Sequence, residues 1–161
     1  MTFRLAPMSP LILGLTCTLL VLPIVFITGA LSIRPLFSVP ALFVVAIYAW
    51  VWLRFRPTRF VVRSDRLDVI WPLKRRHIPR GDIASVRLVT PSELRQETGW
   101  GMRVGAGGLW GGFGWLWTAR RGIVQMYVSR TDRFVWIERR NDRPWLITPE
   151  QPETFVRVLS G

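Results

Sequence analysis

The chain has 161 residues, enough for one compact domain plus an additional segment, and half of them are hydrophobic. Its single cysteine, Cys17, excludes an internal disulfide and a cysteine-based zinc site. Twenty-two Lys and Arg against ten Asp and Glu give a formal net charge of +12, with Lys74 the sole lysine. That balance fits either an arginine-favouring composition or attraction to an anionic membrane or nucleic acid.

The apolar excess lies at the start, where no acidic residue precedes Asp65. Leu11 to Leu31 is uncharged and, as a helix, reaches about 31 Å, the thickness of a bilayer core. Pro23 sits in its middle, which a membrane helix accommodates when something else satisfies the carbonyl it frees. Leu36 to Leu53 is also uncharged and reaches about 27 Å. The short link Ser32 to Pro35 makes the two an antiparallel hairpin, residues 1–54, with spans at about 11–31 and 36–53. The competing reading is a cleaved signal peptide ending near Thr28-Gly29-Ala30, but the apolar run is long for one and Arg4 is the only charge before it. Arg54, Arg56, Arg59 and Arg63 crowd the end of the second span, whereas the hairpin turn holds only Arg34. By the positive-inside rule both chain ends then lie in the cytoplasm. Tyr48, Trp50 and Trp52 fit either an interfacial belt or packing against the first helix.

From Thr58 the pattern alternates. Phe60–Val62 and Leu67–Trp71, turning at Ser64-Asp65, form a first hairpin that Pro72 ends. Arg76–Pro79 and Ala84–Val89 are the next strands, and Pro91 to Gly99 is polar and loop-like. Leu116–Arg120, Ile123–Val128, Phe134–Glu138 and Trp145–Ile147 follow, with Val124, Met126 and Val128 on one face. Thr148-Pro149-Glu150-Gln151 fits a capping box; alternatively the helix starts with Pro152 as its first residue. Phe155, Val156 and Leu159 form its apolar stripe.

Between these strands lies GAGGLWGGFGWLW, Gly105 to Trp117, with six glycines and three tryptophans. It fails the dinucleotide fingerprint, because Trp110 stands where the third glycine belongs, and it lacks the Gly-Lys-Ser/Thr of a phosphate loop. Glycines in strands mark bends, bulges or close backbone approach. Trp110, Trp115 and Trp117 are then core rings, or an aromatic surface facing a membrane or partner.

The segments RFVVRSDRLDVIWPLKRRHIPRGDIASVRLV and GLWGGFGWLWTARRGIVQMYVSRTDRFVWIERRNDRPWLITPEQPETFVRVL resemble the bacterial PH-domain family, over about Arg59 to Leu159. The resemblance implies a pleckstrin-homology-like barrel of about seven strands over residues 55–161, capped by a C-terminal helix, with no catalytic activity. Two preceding membrane helices are common in such proteins. Some eukaryotic relatives bind phosphoinositides through a basic first hairpin. Arg63-Ser64-Asp65-Arg66 is too short and too acidic to match that pattern.

Lys74, Arg75 and Arg76, with Arg80 nearby, form the densest basic run, either a solvated hairpin tip or a contact to anionic lipid. His77 is the only histidine and is read as structural; Asp65, Asp68, Asp132 and Asp142 belong to hairpins and turns. No catalytic, cofactor or metal set is expected. The reading is therefore a non-catalytic, membrane-tethered interaction module whose partners are the bilayer, anionic phospholipid headgroups or an unidentified protein. A nucleic-acid-binding basic β domain is the second reading, and an accessory subunit of a membrane transport or envelope-stress complex is the third.

Overall fold

The first element is a strand ahead of the apolar run. β1 (Thr2–Arg4) pairs antiparallel with β2 (Arg59–Val62), with Phe3 opposite Phe60. The computed structural model describes residues 1–32 and 35–161, so the hairpin turn at Arg34 lies outside the described residues. Between β1 and β2 the chain forms α1 (Pro10–Ser32), a 3₁₀ turn (Pro35–Phe37) and α2 (Ser38–Arg54). Among the described residues, α1 is the one helix long and apolar enough to cross a membrane. With 23 residues it spans about 34 Å. α2 has 17 residues and spans about 25 Å.

The two helices pack by specific means. Pro23 has no N–H for the carbonyl four residues back, that of Leu19. The Tyr48 hydroxyl of α2 donates to that carbonyl at 2.7 Å. Buried Gly29 leaves room for the Phe37 ring, which a Cβ would meet at 3.4 Å. Thr18 and Thr28 donate back to carbonyls within α1, leaving their hydroxyl protons satisfied.

β2, β3 (Arg66–Ile70) and β4 (Arg75–Pro79) continue an antiparallel four-stranded sheet in the order β1-β2-β3-β4. Pro79 and a 3₁₀ turn at Arg80–Asp82 then break the ladder, because proline offers no donor. β5 (Ile83–Val89) starts a second sheet. It is followed by α3 (Pro91–Thr98), β6 (Gly101–Gly107), β7 (Gly112–Thr118), β8 (Gly122–Val128), β9 (Phe134–Arg139) and β10 (Trp145–Ile147). The order is β5-β9-β10-β8-β7-β6, antiparallel except for the β8–β10 pair. α4 (Pro152–Ser160) ends the chain.

The sheets face each other across a core of Phe60, Leu67, Val69 and Ile78 on one side and Phe113, Val135, Ile137 and Trp145 on the other. α4 plugs one end with Phe155 and Leu159. The opposite face of the six-stranded sheet carries a second core of Val124, Met126, Trp136 and Leu146, partly covered by Leu94 of α3. That sheet is therefore buried on both faces through β8, β9 and β10.

Four expectations are corrected. The sheets do not close into a barrel, because the ladder is broken at Pro79, and only a single bridge, Leu5 to Pro149, joins them at the other end. Among the described residues there are nine strands within 55–161, where the resemblance implied about seven, and a tenth, β1, ahead of the helices; β1 and β6 were not foreseen. Pro91 to Gly99 is a helix, started by a true capping box in which Thr90 Oγ1 accepts from the Glu93 N–H and the Glu93 carboxylate accepts from the Thr90 N–H. The Thr148 capping box does not form; the C-terminal helix takes its alternative start, with Pro152 as its first residue.

Thr148 is instead fully buried in the joint between the sheets. Its Oγ1 accepts the Ser129 N–H at 2.9 Å, and its carbonyl accepts the Ala6 N–H at 2.9 Å. The Ser129 hydroxyl donates to the Ala6 carbonyl at 2.6 Å. Ser129→Ala leaves that carbonyl buried without its donor and should cost about 1–3 kcal/mol. Denaturant unfolding followed by tryptophan emission checks this; an unchanged midpoint overturns the assignment.

Candidate functional site

The glycine-rich segment is a hairpin, β6 and β7, whose tip rests on the two apolar helices. Thr16 of α1 is buried at the contact. Its hydroxyl lies 2.8 Å from the Ile12 carbonyl and 2.9 Å from the Gly108 carbonyl, and it accepts the Trp110 N–H at 2.9 Å. These bonds hold Trp110 at φ +58°. Its ring meets Trp52 of α2 edge-on at 4.7 Å and Tyr48 at 6.4 Å. Gly105 and Gly114 face each other across the strands at φ +136° and +132°. A Cβ on Gly105 would stand 2.4 Å from the Phe113 carbonyl oxygen. The glycines therefore serve a close backbone approach.

The three candidate tryptophans separate. Trp110 packs on the helices, while Trp115 and Trp117 project from β7, 44% and 57% exposed. They share the Phe113 face of the sheet, beyond the cover of the four-stranded layer. Their cross-strand partners Val104 and Met102 are also exposed.

The four candidate cations Lys74, Arg75, Arg76 and Arg80 do not form one patch. Arg76 stays exposed but is engaged, donating to Gln125 at 2.8 Å, lying 3.5 Å from Asp142 and sitting over Trp145. Arg80 donates to the Val158 and Leu159 carbonyls at 2.7 and 3.0 Å, closing the C-terminus of α4. Lys74 lies over Trp71, whose indole donates to the Phe55 carbonyl just past α2. Burial and the neighbouring charges of Arg54 and Arg76 hold the Lys74 ammonium below its ordinary value. Arg54 and Arg56 stack on Trp50 and Trp52. The cationic cluster at the exit of α2 is therefore Arg54, Arg56 and Lys74, with Arg75 beside Lys74 in sequence.

The first hairpin is internally neutralised. Asp68 is buried, accepts from Arg63 at 2.9 Å, lies 2.6 Å from His77 Nδ1 and 3.3 Å from Arg66. Burial alone would push its carboxyl up, but the bonds from His77 and Arg63, with the charges of His77 and Arg66, hold it below the ordinary 3.8. His77 is thus a structural partner. Among the described residues no three of His, Cys, Asp and Glu come together to hold a metal.

A family model described as Bacterial PH domain matches residues 58–161. No curated protein and no solved structure matched the chain.

Two expectations follow. Gly105→Ala, at positive φ and without room, should cost at least ~1–3 kcal/mol, while Gly107→Ala, in open space, should cost less than ~1 kcal/mol. Thermal melts of both variants compare them. For Asp68, a lowered folded pKa means its stabilisation is complete above the unfolded value of about 3.9 and is lost as pH falls through the folded value. Asp68→Asn should therefore be less stable at neutral pH, with the gap narrowing only below about pH 4; a gap independent of pH down to acid unfolding overturns the ion-pair account.

Proposed function

We propose that this chain, which belongs to the bacterial PH-domain family, is a non-catalytic interaction module tethered to the cytoplasmic face of the inner membrane. α1 and α2 are its two membrane-crossing helices, and the β domain is the module they hold at the leaflet. The observation that carries this reading is the pairing of β1 with β2. One strand precedes α1 and the other follows α2, so both ends of the helix pair belong to one sheet on one side. A segment that crosses between them must return, which makes the number of crossings even.

Three further features agree. Leu13, Val21, Ile24, Val25, Leu42 and Phe43 are exposed on the helices, an apolar surface far larger than a water-bathed protein carries without a partner. The carbonyl freed by Pro23 has an internal donor in Tyr48, as a water-free setting demands. α2 is extended at its start by the 3₁₀ turn Pro35–Phe37, which lengthens the apolar stretch. Removal of residues 1–30 as a signal peptide would strip Phe3 and Leu5 from the core between the sheets, so the first helix is read as an anchor.

Arginines near both helix ends favour the cytoplasm for the domain. Arg54, Arg56, Lys74 and Arg75 then sit where an anionic leaflet adds about 1 kcal/mol per cation, screened by salt. The exposed Trp115, Trp117, Met102 and Val104 offer a face to a protein partner.

Single cysteines in a Cys17→Ser background test the topology. Ser32→Cys should label from outside intact cells, and Ser160→Cys only after permeabilisation. Labelling of Ser160→Cys from outside, or release of the chain by alkaline carbonate, overturns the reading.

A further inference from the structure

The six-stranded sheet has a groove on the face away from the four-stranded layer. α3 covers only part of that face, and α1 begins alongside it. The space between them is about 1230 Å³, larger than the ~300–1000 Å³ of ordinary small-molecule sites. Its floor is apolar: Leu116, Met126, Val128, Phe134 and Leu146. One wall is the start of α1, with Leu11, Ile12 and Leu15. Arg95, Arg103, Arg120 and Arg130 also line it.

We propose that this groove holds one anionic phospholipid drawn from the leaflet that α1 crosses, with an acyl chain along the floor and the phosphate among the arginines. The proposal rests on the membrane reading above and adds a built lipid site to it. Charge selects the headgroup. Among the described residues, neither Arg95 nor Arg103 has a carboxylate partner, and the Arg120 guanidinium donates to the Gln96 carbonyl and to no carboxylate. Arg130 is held by Asp132. The nearby carboxylates of α3 are committed elsewhere, Glu93 to the Thr90 cap and Glu97 to Arg87 and Arg121. A phosphate accepts the forked donors that these arginines leave open.

The position of the groove selects the tail. Leu11 and Leu15 line it and are still 61% and 47% exposed, so the same helix surface faces the groove and its surroundings. A chain leaving the leaflet beside α1 reaches the floor along leucine side chains. The floor lies mid-sheet, where backbone groups are already paired across β7, β8 and β10. It therefore presents no free edge for strand addition, which favours a lipid tail over an extended peptide.

This basic groove is separate from the cations at the exit of α2, which stack on Trp50, Trp52 and Trp71. An anionic surface can attract the chain through those cations without filling the groove. The two contacts are therefore separable by variants.

The test uses the full chain in bilayer discs containing phosphatidylglycerol with a photoreactive group at mid-chain, cross-linked sites being mapped by peptide mass spectrometry. Cross-links within 116–134, competed by unlabelled phosphatidylglycerol but not by phosphatidylcholine, are the expected result. The exposed double variant Arg95→Gln/Arg103→Gln should weaken them more than tenfold, at roughly fivefold per arginine. Arg157→Gln, exposed on α4, should leave them unchanged. Cross-links confined to α1 and α2 overturn the groove proposal while leaving the membrane reading intact; absence of cross-links from both helices overturns the membrane reading itself. Equal competition by phosphatidylcholine overturns the anionic assignment. A synthetic amphipathic acidic peptide that displaces the lipid more strongly than phosphatidylglycerol does overturns the choice of a lipid as the occupant.

Discussion

The N-terminal strap holds the two sheets together. Residues 2–4 pair with the four-stranded sheet, and within two residues the chain bonds to the other: Leu5 bridges to Pro149, and the Ala6 amide donates to Thr148. Ser129 and Thr148 fix that crossing with buried hydroxyls, and Phe3 and Leu5 contribute to the core on the way. Burying these polar groups is tolerable only because each has a partner. The strap then leads straight into α1, with the Ser9 amide donating to the Ser129 carbonyl at 3.2 Å. The sheet joint and the start of the apolar helix are consequently one structural unit.

This coupling explains why the glycine-rich hairpin has the composition it has. Its tip reaches back to α1 and α2, where Gly108 lies against Leu19 and the Trp110 ring packs on α2. Thr16 caps Gly108 and Trp110 while Trp52 and Tyr48 enclose the indole. Tyr48 has two tasks, since its hydroxyl also closes the gap left by Pro23. The domain is thus fixed to the helices at the strap, at the tip and at the Trp71–Phe55 bond. A module held at three places keeps its orientation relative to the helices, unlike one hung on a linker.

Much of the fold was legible where local pattern and tertiary role agree. Val124, Met126 and Val128 alternate because they line one core, and Phe155 and Leu159 recur at helical spacing because α4 plugs the other. Legibility failed where the signal is short or shared. β1 has three residues and one inward side chain, below any periodic threshold. β6 does alternate, with Met102, Val104 and Ala106 on one face, but that face is largely exposed and the glycines between them weaken the strand signal. Thr90-x-x-Glu93 and Thr148-x-x-Gln151 carry the same capping signature; the first starts a helix, while the second lost its threonine to Ser129. Only burial distinguishes them. In the basic run the limit is of a related kind: Arg76 and Arg80 find partners 49 and 78 residues away, and nothing local marks those pairings.

The distribution of charge bears on which surface of a PH-like domain meets an anion. In the first hairpin Arg63 and Arg66 are balanced by Asp65 and Asp68, and the buried Asp68 is ligated from three sides. Recruiting those arginines to an external phosphate would leave a carboxylate buried with fewer partners, which costs more than a surface contact returns. Cations without a carboxylate partner among the described residues include Arg54, Arg56 and Lys74 at the exit of α2 and Arg95 and Arg103 along the groove beside α1. Both places adjoin the apolar helices. An anion contact beside the two apolar helices would strip no buried carboxylate of its partners, unlike one at the first hairpin. The strap also keeps the groove and the start of α1 in fixed register.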